Sequence, residues 1–327
     1  MRPRTVWPGR SRRDRPGPAV ALASRATLAS PAAALAAGTA AACAARAAYA
    51  ALTRRPPGGA GTWTRTNHRG EQLTLLEGPA LTVGSVAVSA LGPGLPPRVR
   101  AALAVAGTGA AAFGGYDDLA GSGSRRGFRG HLGALAKGEI TTGAVKLGGI
   151  GAAGLVSAAL LGGGPADVAV NAGLVAGGAN LLNLFDLRPG RALKVALASG
   201  TLLATRPSAR LAVAAPLGAA AALLPEDLGE RAMLGDSGAN ALGALLGVAA
   251  GASLSRPARI ALLAVITGLT AASEVVSFTA VIERTAALQW LDMLGRRPVP
   301  AAPVPGHDDP PPAAPREAGA TAAAAPS

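Results

Sequence analysis

The chain has 327 residues, half of them hydrophobic and only 15% charged, with a formal net charge of +13 and a mean hydropathy of +0.34. Soluble domains carry about a quarter of charged residues, and 3% aromatics would fill a soluble core poorly, whereas small residues suffice where membrane helices pack closely. The lone Cys43 excludes an internal disulfide framework and a Cys-based zinc site. The positive charge sits in short loops between apolar runs, which reads as membrane topology and headgroup contact and not as nucleic-acid binding.

Residues 1–25 are rich in Arg and Pro and are predicted to be disordered. Residues 26–297 read as one all-α, polytopic helical bundle in the membrane. The Ala-rich run 27–53, which contains Arg46, is its weakest span. Stronger apolar segments follow at 78–95, 98–116, 140–161, 165–184, 236–254 and 258–282. The stretch 191–224 is broken by Thr205-Arg-Pro-Ser-Ala-Arg210 and reads as a hairpin of two spans, each short of the roughly 20 residues of a straight crossing. The total is about nine transmembrane helices. The segment 282–294 suits a helix lying on the membrane surface, and 298–327 is a Pro/Ala tail predicted to be disordered.

Three acidic islets interrupt this apolar chain. They are Phe113-Gly-Gly-Tyr-Asp117-Asp118-Leu-Ala-Gly121, Asn180-Leu-Leu-Asn183-Leu-Phe-Asp186 and Met233-Leu-Gly-Asp236-Ser-Gly-Ala-Asn240. A carboxylate at a membrane helix end is costly unless it meets water, a metal or a partner. Two spans separate each islet from the next, so all three fall on one face. Loops on that face hold 15 Lys and Arg against 6 on the other, which makes the islet face cytoplasmic. The N-terminus runs against this, with seven Arg before residue 26 on the side that parity places outside.

The islets hold the residue types of phosphoryl transfer. Adjacent Asp117 and Asp118 need a counter-charge, and oxygen ligands suit Mg²⁺. Asp236 adds a carboxylate from another helix, at a helix start that itself favours an anion. Asn180, Asn183 and Asp186 repeat at spacings of three and share one helical face, suited to recognising a base or sugar. Arg125, Arg126, Arg129, His131 and Lys137 supply cations for phosphates. Blander readings stand beside these. The acids also suit helix caps, the Asn pair suits interhelical hydrogen bonding, the loop cations suit topology alone, and Glu139 and Lys146 read as interfacial, with Lys146 snorkelling. Glu274 sits inside the last span or at its cytoplasmic end.

At these residues the chain resembles the polyprenyl-phosphate N-acetylhexosamine-1-phosphate transferases. That glycosyltransferase family 4 group includes phospho-N-acetylmuramoyl-pentapeptide transferase and the enzymes that begin teichoic acid, O-antigen and arabinogalactan synthesis. The matching motifs are Asp117-Asp118, the Asn180/Asn183/Asp186 helix end, Gly235-Asp236-Ser237-Gly238 with Leu242-Gly243, and the earlier Arg65-Thr-Asn67-His-Arg69-Gly70. They keep the family's order and spacing from about 65 to 254. The resemblance implies attack of a polyprenyl phosphate on the β-phosphate of a UDP-amino sugar, with Mg²⁺ required and UMP released at the cytoplasmic membrane. It gives Asp117 and Asp236 the metal, Asp118 the lipid phosphate, Asn183 and Asp186 the nucleotide side, and Arg125, Arg126 and Lys137 the phosphates. Membrane lipids and a second copy of the chain are further implied partners. The departures are a missing His-rich loop (the three His are at 68, 131 and 307), no Asp-Gly after Asp186, and no tenth span. They keep open a non-catalytic relative or a transporter-like protein as the alternative. The dense Asp pattern of CDP-alcohol phosphotransferases is absent, and no P-loop or Rossmann glycine pattern stands in a strand-to-helix context.

Overall fold

Small residues decide how the helices meet. The computed structural model describes residues 30–67, 69–121 and 141–298, and the chain divides after Arg296, so that every element below belongs to the first unit. Nine longer helices follow one another: α1 (Pro31–Arg54), α3 (Glu77–Leu91), α4 (Pro97–Ala120), α5 (Thr142–Leu161), α6 (Pro165–Phe185), α7 (Arg191–Ala204), α8 (Arg210–Leu228), α9 (Gly235–Ser253) and α10 (Arg256–Ser273). Among the described residues there are three short ones besides: α2 (Ala60–Trp63), α11 (Phe278–Arg284) and α12 (Ala286–Met293).

The helix starts follow from local chemistry. Ser30 caps α1 by accepting from the Ala33 N–H at 3.1 Å, and Thr141 caps α5 from Ala144 at 3.1 Å. Proline stands in the first two positions of α1, α4, α6 and α10, where its missing N–H has no partner to lose. Gly162 and Gly163 end α5 at φ of 83° and 106°, which turns the chain straight into α6.

At the centre lies α9, with 14 of its 19 residues buried. It packs against α3, α4 and α6, while α5 bridges α4 and α6, and α10 lies on the outer side of α6. A second layer joins α8 to α1, α3 and α7. Glycine permits the close central contacts. A Cβ on Gly247 would stand 2.5 Å from the Leu174 carbonyl oxygen of α6, and one on Gly238 would stand 2.6 Å from the Gly78 Cα of α3.

The nine long segments expected from the sequence are all helices, but fewer of them have the length and hydropathy of a crossing. Four do: α1, α5, α6 and α8. A fifth is added if α10 and α11, bent by 93° at their junction, form one broken span. Among the rest, α3 and α7 have 15 and 14 residues and are too short to cross straight. Polar residues dilute the ends of α4 and α9, where the acidic islets lie. The membrane-embedded helical reading therefore holds at this coarser level.

Two expectations change. The run 258–282 is not one helix: it stops at Ser273, Glu274 caps it, and Ser277 starts α11 by accepting from the Ala280 N–H. The expected surface helix over 282–294 is two short helices. The sequence pattern also missed a hairpin, β1 (Thr64–Thr66) paired antiparallel with β2 (Gln72–Thr74) with Arg65 opposite Leu73. A parallel bridge from Thr74 to Ala232 ties the hairpin to the chain just before α9.

Candidate functional site

Four long helices end at one place. The last turn of α4 brings Asp117 and Asp118, the second turn of α5 brings Lys146, α6 stops at Asp186, and α9 opens with Gly235 and Asp236. The first N–H groups of any helix lack internal partners and carry partial positive charge. Here the Asp118 carboxylate of α4 satisfies two of them. Asp118 Oδ1 accepts from the Asp236 N–H at 3.0 Å and Oδ2 from the Ser237 N–H at 2.9 Å. Gly235 has φ of 60°, and a Cβ on it would lie 3.0 Å from Asp118 Oδ2, so glycine is required both by the turn and by the approaching carboxylate.

Asp236 and Asp117 point into the remaining space, where Lys146 joins them. Its ammonium lies 2.8 Å from Asp117 Oδ2 and 2.5 Å from Asp236 Oδ2. The three side chains are 15–27% exposed, so the charges are partly screened but reachable. The Lys146 reading as a snorkelling interfacial residue is thereby corrected: it stands one helical turn into α5, facing the bundle, and two carboxylates hold it there. A lysine this close to a helix start carries no sequence mark that separates the two roles.

Asp186 sits at the C-cap of α6 and is half-buried. Burial first, and then the carboxylates of Asp227, Asp236 and Asp118, push its carboxyl well above the usual range. Asn180 and Asn183 are half-buried on the last turns of the same helix. Asn240, which the sequence offered only as part of a motif, is buried and its Nδ2 donates to the Asp236 carbonyl oxygen at 2.6 Å, one turn into α9. The early basic stretch also arrives: Arg65 on β1 donates from Nη2 to the Asp118 carbonyl oxygen at 2.5 Å. Asn67 and Arg69 instead tie the hairpin to Glu230, at 2.8 and 3.0 Å.

The four expected aspartates, Asp117, Asp118, Asp186 and Asp236, are thus brought together. Asp118 also has a structural task that the sequence did not suggest: each of its oxygens accepts one backbone N–H at the α9 start, which holds α9 in place. Arg125, Arg126, Arg129, His131, Lys137 and Glu139 lie outside the described residues.

An apolar cleft of about 530 Å³ is lined from Phe185, the residue before Asp186, between α6, α7, α9 and α10 past Leu182, Leu246 and Leu203 to Leu254 and Arg206. Phe185 stacks on Phe278 of α11 with ring centroids 5.0 Å apart. Below it, Arg191 holds Asp292 of α12 through Nε at 2.7 Å and Nη2 at 3.1 Å, and Arg296 reaches the same carboxylate at 2.8 Å. Burial pushes the Asp292 carboxyl up, but the hydrogen bond and charge of Arg191, with Arg296 and Lys194 behind it, hold it below the usual range.

Compared with known proteins, the chain matches no family model and no curated sequence.

Proposed function

We propose that the protein is a membrane phosphotransferase that moves a sugar-1-phosphate from a UDP-amino sugar to polyprenyl phosphate, with the carboxylate cluster at the cytoplasmic face of the cell membrane. The observation that carries the reading is the meeting of Asp117 and Asp236 on Lys146 at the ends of four helices, with Asp118 and Asp186 close to Asp236 and with Phe185, the residue before Asp186, lining an apolar cleft. A charged site next to an apolar cleft suits a substrate with a phosphate head and a hydrocarbon tail.

In the reaction a phosphate oxygen of the lipid bonds to the β-phosphorus of the nucleotide sugar. The bond from that phosphorus to the α–β bridging oxygen breaks, and UMP leaves with the electron pair. The donor set suits Mg²⁺. Asp117 and Asp236 are hard oxygen ligands already converging on one cation, the Lys146 ammonium. Among the described residues no group of three His, Cys, Asp or Glu is placed to hold a metal, so the remaining ligands would come from substrate phosphates and water, a common arrangement for this ion. When bound, Mg²⁺ neutralises charge that builds on the phosphate oxygens. Lys146 can then turn its ammonium to a phosphate while staying within reach of one carboxylate. Asp118 positions α9 from behind. Asn180, Asn183 and Asp186 line the nucleotide side, and Arg125, Arg126, Arg129, His131 and Lys137 belong to the segment that would cover the phosphates.

A non-catalytic role has one observation in its favour: Lys146 already compensates Asp117 and Asp236, and Asp118 holds the α9 start, as in a purely structural cluster. One experiment separates the two. Membranes containing the protein are given polyprenyl phosphate, Mg²⁺ and a panel of UDP-sugars, and UMP release is followed. The expected result is release that needs both lipid and metal and falls about 100-fold or more in Asp117→Asn and Asp236→Asn, the scale of losing a main electrostatic group at a reacting centre. No release from any donor, with protein that is folded and inserted, would leave the non-catalytic role standing.

A further inference from the structure

The helices that meet at the carboxylate cluster also meet at their other ends, and there they build a second polar site. Its cavity, about 390 Å³, is lined by Val99 of α4, Leu161 with Gly162 and Gly163 after α5, Asp167 and Asn171 of α6, Gly251 of α9 and Arg259 of α10. It lies a full helix length from Asp117, Asp186 and Asp236, and shares none of their contacts.

One arginine lines it and two more stand near it. Arg259 is 13% exposed and donates from Nη1 to Asn171 Oδ1 at 2.7 Å and from Nη2 to Asp167 Oδ1 at 2.8 Å. Arg256 is 55% exposed, with its Nε 3.8 Å from the same Asp167 oxygen. Arg98 is exposed at the start of α4, with its Nη1 3.6 Å from where a Cβ on Gly162 would be. Three arginines against one aspartate leave two positive charges at the rim.

The decisive group is Asn171. It is 2% exposed, and the atom that faces Arg259 must be its oxygen, because a guanidinium only donates. Its Nδ2 is the other arm of the amide, in a residue that lines the cavity, and among the described residues no acceptor stands within hydrogen-bond distance of it. A free amide donor in a polar cavity with arginines near it suits an anion.

The neighbourhood indicates which anion. Leu254 lines both this cavity and the far end of the apolar cleft, where Arg206 also stands. A polar pocket that opens beside an apolar cleft, at the end of membrane helices, matches a phosphate head with acyl chains. We infer that this end of the bundle binds the phosphate headgroup of an anionic membrane phospholipid, in the leaflet opposite the carboxylate cluster, with Asn171 Nδ2 donating to a phosphate oxygen and Arg98 and Arg256 supplying charge. The inference is independent of the transferase reading, and a protein that releases no UMP would still bind the lipid here.

The test is native mass spectrometry of the protein released from nanodiscs of equal phosphatidylglycerol and phosphatidylcholine. Wild type is expected to retain phosphatidylglycerol in preference. Arg98→Gln and Arg256→Gln change exposed side chains and leave the fold intact, and each should reduce the preference by a few-fold, toward the roughly fivefold that one basic residue contributes at an anionic surface. Asn171→Asp, which turns an acceptor toward the phosphate, should abolish it, and where that variant does not fold the two arginine variants decide. Equal retention of both lipids by wild type, or a preference unchanged in Arg98→Gln and Arg256→Gln, overturns the proposal. Displacement of phosphatidylglycerol by inorganic phosphate alone would also overturn it, in favour of a soluble anion.

Discussion

The two ends of α4, α5, α6 and α9 solve opposite electrostatic problems with the same helices. At one end carboxylates outnumber cations, and the excess is relieved by the α9 start and by Lys146. At the other, arginines outnumber the single Asp167, and the excess stays at an open rim. The difference lies in which groups face which. At the acidic end each charge meets a partner on another helix, so the cluster locks the helix ends together. At the basic end only Arg259 is locked, and Arg98 and Arg256 remain outside.

That contrast is broken most severely at Lys146. Lys146→Met would leave Asp117 and Asp236 facing each other without their cation. Removing one partner from a mostly buried ion pair costs about 3–5 kcal/mol, so a marked fall in Tm is expected in detergent. Mg²⁺ should recover more of that loss in the variant than it adds to wild type, because the two carboxylates then accept the metal without displacing an ammonium. An unchanged Tm, or no difference in the Mg²⁺ response, would show that the cluster is not the brace described here.

The clasp beneath the cleft is the next test. Asp292→Ala leaves Arg191 buried without its carboxylate, an expected loss of about 3 kcal/mol. The wild-type clasp is also acid-sensitive. Asp292 has a carboxyl held below its usual range, so its contribution is full above the unfolded value near about 4 and is lost as pH falls through the folded value. A thermal-melt series toward acid should show wild type losing more stability than the variant over that window. Parallel curves would remove the clasp from the account.

Close packing at the middle of α9 carries a smaller effect. Gly247→Ala places a methyl group against the Leu174 backbone, which cannot move aside as a side chain can. The expected loss is about 2 kcal/mol, measurable in the same melts. An equal substitution at Gly148 or Gly268, helix-interior positions that meet nothing nearby, should instead stabilise by up to about 1 kcal/mol.

Much of this was legible in the chain. Long apolar runs separated by Pro, Gly and Arg placed eight of the nine long helices within a few residues, because helix ends depend on nearby residues, while the run 258–282 hid a break after Ser273. The acidic islets marked the helix ends that converge, since a carboxylate beside an apolar run needs a reason to be there. Three things escaped. Lys146 looks like any interfacial lysine until the fold sets it between two acids. The Asp118 role could not be read from its neighbours, because the N–H groups it receives are 118 and 119 residues away. Length and hydropathy bear out four or five of the nine crossings, because burial inside the bundle and exposure to lipid both select apolar residues, and α3 and α7 are short for straight spans.

The mildest change sharpens the contrast between the two ends. Arg256 stands 3.8 Å from Asp167 and is more than half exposed, while Arg259 already satisfies that carboxylate at 2.8 Å. An exposed pair of this length contributes between nothing and about 0.5 kcal/mol, so Arg256→Gln should melt within that margin of wild type. Arg259→Gln should not: it leaves Asp167 with only the longer contact and Asn171 Oδ1 without its donor, a cost of about 1–3 kcal/mol. If the two variants melt alike, Arg256 belongs to the frame of the bundle. If they differ as expected, the fold itself does not need Arg256, and its charge at that rim is left for whatever the cavity binds.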